Sequence, residues 1–371
     1  MSRILMVTPY APYRDGIAAY AVQQVKALRA EGNDVEVLSP APSAAHQWLD
    51  LRNRRGPIAL ARRVSGFDRL VIQFHPDVFF PVGMSRNDHA MSTAGLLVAC
   101  RLAHESEVVV HEFDDEPLRY GRRNRALTAR MWRTVDRLVF HTAIERDRFV
   151  AVWPVRPERT AVVAHGATFV PHTNADRAAA RAVLGLPPDR FVFVAIGFIQ
   201  PHKGFDRAVA AFSASGAASV GAQLHVVGSV RVDEPAFLQH RDDLAAAIRQ
   251  TKGATLHDAY LSDEAFDLWL VAADAVVLPY RQIWSSGVME RAALFSRLVI
   301  ATRVGGLGEQ APPGTVLVDD DATLTAAMAA AAGVVDSPKW TRAVEPWPDG
   351  DRDTIQAEVR RRAHRPTSSR D

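Results

Sequence analysis

Lys203 stands in the loop 197–204 (GFIQPHKG), just ahead of a helix predicted from Asp206 to about Phe212. An ammonium group at a helix start opposes the helix dipole, and a bound phosphate would remove that conflict; a solvated surface lysine is the plainer alternative. A second candidate lies in 279–309 (PYRQIWSSGVMERAALFSRLVIATRVGGLGE), where Ser285, Ser286 and Gly287 lead from a strand end into a helix. The first amides of a helix have no acceptor within it, so together with two hydroxyls they form an anion cradle. Glu290 falls on the first turn of that helix, where a carboxylate either accepts from sugar hydroxyls or simply complements the dipole. A third loop, 9–16 (PYAPYRDG), ends in Gly16 at another helix start. A glycine there lets the backbone approach an anionic ligand closely, or serves only the turn.

Histidines mark a second group. His111 follows the apolar run 108–110, His75 follows VIQF (71–74), and His165 follows TAVVA (160–164). Each therefore ends a predicted strand, where a bound ligand can be met, and a core or capping role is the alternative. Next to His111 the run 112–116 (EFDDE) carries Asp114 and Asp115, which could attract a cationic ligand, although such a run is more often a solvated loop. Residues 119–137 hold seven arginines (Arg119, Arg122, Arg123, Arg125, Arg130, Arg133 and Arg137) against the single acid Asp136. Such a helix suits an anionic membrane surface, or is merely solvated. No His, Cys, Asp or Glu cluster has the spacing of metal ligands, so no metal site is expected.

These loops need elements to hold them. Short apolar runs at 3–8, 35–38, 69–74, 107–110, 137–140 and 160–164 read as buried strands of a parallel sheet, with helical periodicity at 17–30. A second strand–loop–helix opening begins at 191–196, and strands follow at 223–227, 254–256, 275–278, 298–301 and 315–318. The expected division is an N-terminal Rossmann-like domain (1–170), a linker (171–190), a C-terminal Rossmann-like domain (191–345), and a terminal helix with a polar tail (346–371). In open α/β sheets ligands bind beyond the carboxyl ends of the strands, which is where the candidate residues fall.

The whole composition agrees. The chain has 371 residues, 48% hydrophobic and 23% charged, with a net charge of +2. That length suits two domains and the mix suits a globular protein. The near balance of charge argues against a nucleic-acid partner. One cysteine, Cys100, excludes a disulfide framework. The first residues lack the apolar stretch of a secretory signal and no run reaches a membrane span, so the expected location is cytoplasmic, with peripheral contact on the inner membrane face left open.

From the Gly16 loop to about residue 320, the chain resembles the family-4 retaining glycosyltransferases. The most specific parts are the Lys203 loop and the S-S-G-V-M-E…V-I-A-T-R-V-G-G-L-G-E block. The resemblance implies the GT-B fold: an α/β architecture of two facing Rossmann-like domains with an interdomain cleft. It implies transfer of a hexosyl unit from a nucleoside diphosphate sugar to an acceptor hydroxyl, with retention, without a metal, and with no cofactor beyond the donor. Lys203 would neutralise the diphosphate and Glu290 would hold the ribose. Gly16, Gly197, Gln282, Ser285, Ser286, Gly287 and Val288 would complete the donor site, and His111 would lie against the transferred sugar. Asp114, Asp115 and His75 are the candidates for the acceptor, a saccharide, a small molecule or a lipid-linked sugar. Two departures stand out: Phe198 where the family usually has arginine, and Gln282 where it usually has the first of two glutamates eight positions apart. They leave a non-catalytic sugar-nucleotide-binding relative as the alternative.

Overall fold

The structure is a computed structural model, and it describes residues 1–81, 83–113 and 121–335. The chain divides into two compact units, Met1–Thr168 and Phe169–Asp371. Asp114, Asp115, Arg119 and the tail 346–371 lie outside the described residues.

The first unit runs β1 (Arg3–Val7), α1 (Gly16–Ala30), β2 (Asp34–Ser39), β3 (Gln47–Trp48), α2 (Gly56–Ala61), β4 (Arg69–Phe74), α3 (Pro76–Phe79), α4 (Arg86–Leu102), β5 (Glu105–Val110), α5 (Arg122–Thr134), β6 (Arg137–Phe140), α6 (Ala143–Val152) and β7 (Thr160–Val162). Its strands form one parallel sheet in the order β3-β2-β1-β4-β5-β6-β7. The order reverses between β1 and β4, and the loops with Gly16 and His75 leave the sheet there. β1 and its neighbours are apolar on both faces because helices cover both, and Ile4, Met6, Val35, Val37 and Val71 pack with Ala21 and Val25 of α1. The two-residue strand β3 escapes sequence reading because Gln47 and Trp48 are too short a run to show a period.

The second unit runs α7 (Arg177–Leu184), β8 (Val192–Ile196), α8 (Phe205–Ala214), β9 (Gln223–Gly228), α9 (Pro235–Gln250), β10 (Ala254–Asp258), α10 (Asp263–Ala272), β11 (Ala275–Leu278), α11 (Gly287–Leu294), β12 (Leu298–Thr302), α12 (Leu307–Gln310), β13 (Val316–Val318) and α13 (Asp321–Ala331). Its parallel sheet has the order β10-β9-β8-β11-β12-β13, with the reversal between β8 and β11. The loops after these two strands carry Lys203 and Ser286, so both anion-binding candidates emerge at the switch point.

The stretch 171–190, expected as a linker with a short Ala/Arg helix, carries that helix as α7, which packs on the second unit. Arg181 of α7 is 2% exposed and donates to the Ala272 carbonyl (3.0 Å) and to Asp274 (2.6 Å). Asp274 also accepts from the amide of Val192 at 2.7 Å, which fixes the start of β8. Proline and alanine content alone hid this, because the docking arginine reads from sequence as a surface charge.

Candidate functional site

The Lys203 loop is pinned by its neighbours. Gly197 (φ +132°) follows β8, and a side chain added there would sit 3.8 Å from Val288 at the start of α11. Gly228 ends β9, and a Cβ on it would lie 1.8 Å from the Gly197 carbonyl oxygen, so the two strand ends touch backbone to backbone. Lys203 closes a short 3-10 turn (Pro201–Lys203), and Gly204 (φ +63°) turns the chain into α8. A Cβ on Gly204 would meet the Pro279 carbonyl at 2.2 Å. Arg207 donates to the carbonyls of Pro279 (2.9 Å) and Tyr280 (3.2 Å), and Arg281 grips Asp206 with two hydrogen bonds of 2.8 and 2.5 Å. Two arginines thus lace the loop after β8 to the loop after β11.

Within this frame the Lys203 ammonium lies over the face of Tyr280, 4.1 Å from the ring centre. Among the described residues it has no ion pair and no hydrogen bond. Burial pushes it down to about 8. Burial likewise pushes Tyr280 up to about 12, against a downward pull from the Ser286 hydroxyl. A part-buried cation without a carboxylate is a free-energy liability in the isolated chain, which an anionic ligand would relieve.

Helix α11 supplies the rest. Ser286 caps it by accepting from the Met289 amide at 3.3 Å. The amides of Gly287 and Val288 have no acceptor among the described residues. Gln310 of α12 was not foreseen: its Oε1 accepts from the Ser286 amide (2.8 Å) and its Nε2 donates to Glu290 Oε1 (3.2 Å). This one amide therefore orients both the cap and the carboxylate. Gly305 (φ +52°) brings α12 into range, since a Cβ there would lie 1.7 Å from the Ile283 carbonyl oxygen. Ser285 sits part-buried in the same loop, and Gln282 is exposed. The Phe198 ring lies nearly parallel to that of Tyr260, with the ring centres 6.4 Å apart.

The helix is held from behind. Asp267, with no exposed surface, accepts from Arg291 Nε (3.0 Å) and Nη2 (2.5 Å) and from the amide of His172 (2.7 Å). Arg291 is adjacent to Glu290, so this buried pair fixes the helix turn that carries the candidate carboxylate.

In the first unit, Gly16 opens α1 with ordinary φ, and a Cβ on it would meet nothing within 4 Å. The fold therefore gives no steric reason for glycine there. His111 Nε2 lies 2.7 Å from Gln73 Oε1, and Gln73 donates to Gln24 at 2.6 Å. Gln73 is thus an acceptor toward His111, which places the His111 proton on Nε2 and the lone pair on Nδ1. Burial, followed by the nearby His141 and His75, holds His111 well below the ordinary imidazole range, so the ring is neutral. Tyr20 packs edge-on against His111, His141 and His165 at 5.0–5.4 Å. His75 caps α3 and meets Glu112 at 3.1 Å; burial lowers its pKa, but the hydrogen bond and charge of Glu112, with Asp77 and Asp15, outweigh this and raise it. No three His, Cys, Asp or Glu side chains among the described residues could hold a metal ion.

Residues 190–333, which contain every element of the Lys203 and α11 site, match the family described as glycosyl transferases group 1. Whole-chain similarity then settles the architecture. Sucrose-phosphate synthase from Thermosynechococcus elongatus superposes with a TM-score of 0.68 over 97% of this chain and 94% of that one, at 18% identity. Anabaena Alr3699/HepE in complex with UDP and glucose gives 0.64 over 98% and 95%, at 13% identity. The fold is GT-B. The GT-B chain is also 34% identical over 194 residues to a D-inositol 3-phosphate glycosyltransferase from Rhodococcus opacus (strain B4). That match takes in 51% of this chain and 43% of the relative, and the chain spans about half the length, or less, of the curated relatives it matches.

Proposed function

We propose that this GT-B protein is a retaining glycosyltransferase that moves a hexosyl unit from a nucleoside diphosphate sugar to an acceptor hydroxyl. The observation that carries the reading is Lys203: a part-buried ammonium over Tyr280, without a carboxylate, at the switch point of the second sheet. The donor diphosphate supplies the missing anion. Lys203 and the free amides of Gly287 and Val288 neutralise the charge that grows on it as the glycosidic bond breaks, and a single preorganised donor of this kind contributes about 10²–10³ in rate. Glu290, aligned by Gln310, accepts from the ribose hydroxyls. The neutral His111 offers its Nδ1 lone pair to a hydroxyl of the transferred sugar. No side chain is required as a covalent nucleophile; the leaving diphosphate oxygen takes the acceptor proton as the new bond forms on the same face.

The similarity over residues 190–333 to group 1 glycosyl transferases, and the UDP and glucose bound by one structural neighbour, support a nucleotide-sugar donor. Incubation with UDP-glucose and a panel of saccharide, inositol-phosphate and lipid-linked acceptors, followed by proton NMR, tests the proposal. The expected product carries the donor's anomeric configuration and forms equally well in EDTA. An inverted product, or a metal-dependent rate, contradicts the mechanism, and donor binding without transfer favours the non-catalytic alternative raised by Phe198 and Gln282.

A further inference from the structure

Helix α5 carries five arginines, Arg122, Arg123, Arg125, Arg130 and Arg133, and no acid. All five are exposed, and none forms an ion pair among the described residues. At 100° per residue they cover an arc of about 160°. The opposite side of the helix buries Asn124, Thr128, Met131 and Trp132, with Trp132 packed edge-on against Phe74 of β4. By sequence this helix has no apolar face to insert into lipid. The structure supplies one beside it.

Helix α4 packs along α5, and Asn124 Nδ2 donates to the Arg86 carbonyl at 2.7 Å, which joins their N-terminal ends. On α4, Met91, Val98 and Leu102 are 45%, 43% and 54% exposed. Their spacing of seven and four residues puts them on one stripe, opposite Leu96 and Cys100, which are buried. The only acid of α4, Asp88, is paired with Arg54 at 3.8 Å. An apolar row and a cationic row without ion pairs among the described residues, each about 16 Å long, therefore run side by side on the outer surface of the first unit.

We propose that this α4–α5 face docks the protein on an anionic lipid bilayer. Met91, Val98 and Leu102 enter the boundary between headgroups and acyl chains, while the arginines bind lipid phosphates. The pairing of the two rows selects the partner: a nucleic acid would use the charge and leave the apolar stripe in water, whereas a bilayer uses both. This surface uses no residue of the Lys203 site, so it holds whether or not the transferase reading does.

The test is co-sedimentation of the full chain with vesicles. Binding is expected to phosphatidylglycerol-containing vesicles and not to pure phosphatidylcholine, with release as salt shortens the Debye length from about 10 Å at 0.1 M to about 3 Å at 1 M. Replacing Arg122, Arg123, Arg130 and Arg133 with Gln should lower the partition coefficient by roughly 10²–10³-fold, about fivefold for each arginine. Met91→Ser with Leu102→Ser should weaken binding several-fold with the charge intact. All six positions are exposed, so melting temperatures should stay at the wild-type value. Several results would overturn the proposal: equal binding to neutral vesicles, or no vesicle binding; indifference to either variant; an RNA oligomer retained by wild type and lost by the arginine variant in place of lipid; or a dimer that the Met91 and Leu102 changes dissociate.

Discussion

Replacing Lys203 with methionine removes the charge and keeps the length of the stem, and its two effects should have opposite signs. Burial lowers the ammonium from 10.5 to about 8, a drop of 10.5 − 8, or 2.5 powers of ten in proton affinity. At about 1.4 kcal/mol for each, the buried charge destabilises the fold by about 3 kcal/mol, of which the Tyr280 face returns about 1. The variant should therefore be more stable than wild type by about 1–3 kcal/mol near neutral pH. The pH dependence follows from linkage. Below pH 8 the lysine is protonated in both states and the penalty is present in full. Between 8 and 10.5 the unfolded chain holds more protons than the folded one, so wild-type stability rises with pH. Above 10.5 the gap should have closed. Meanwhile affinity for UDP should fall by about 10–100-fold, because a charge-assisted hydrogen bond to phosphate is worth about 1.5–3 kcal/mol. Chemical denaturation from about pH 6 to 11, with calorimetric titration of UDP, reads both effects. A variant that is less stable than wild type at neutral pH, or that binds UDP equally well, refutes the assignment of Lys203 as an anion receptor.

Glu290→Ala should weaken UDP binding by about 10–100-fold, and Gln310→Leu should reproduce part of that loss by freeing the carboxylate; titration with UDP and its 2′,3′-dideoxy analogue checks this, since both variants should lose the preference for the natural ribose. Gly228→Ala should destabilise by about 2–4 kcal/mol, because its Cβ would lie 1.8 Å from the Gly197 carbonyl oxygen, whereas Gly16→Ala should leave the melting temperature unchanged or slightly raised. If the Gly16 loop serves the diphosphate, that harmless change should still lower turnover. Asp267→Asn should lower stability by about 1–3 kcal/mol in urea melts, since it removes the fully buried carboxylate from Arg291 and leaves only the partly exposed Asp263, at 2.9 Å, as counter-charge.

The buried strands were legible because a strand covered on both faces is a near-continuous apolar run: 69–74, 137–140 and 275–278 match β4, β6 and β11 to the residue. The Lys203 loop and the α11 start were legible because glycine, serine and lysine at strand ends are local features. What the sequence hid depends on contacts between distant segments. Gln310 reaches Ser286 and Glu290 only because the Gly305 turn folds α12 back across the loop. Arg181 and Arg291 read as surface charges, yet they are buried against Asp274 and Asp267. The apolar stripe of α4 was hidden for another reason: its residues lie on a helix whose opposite side is also apolar, and only burial separates the two faces.

Crystallography of the protein with UDP tests the donor site most directly. The diphosphate is expected within hydrogen-bond distance, about 2.7–3.2 Å, of Lys203 Nζ and of the Gly287 and Val288 amides, with the ribose hydroxyls on Glu290. UDP bound away from the β8 and β11 strand ends, or bound there with Lys203 still resting on Tyr280 and no phosphate contact, would contradict it.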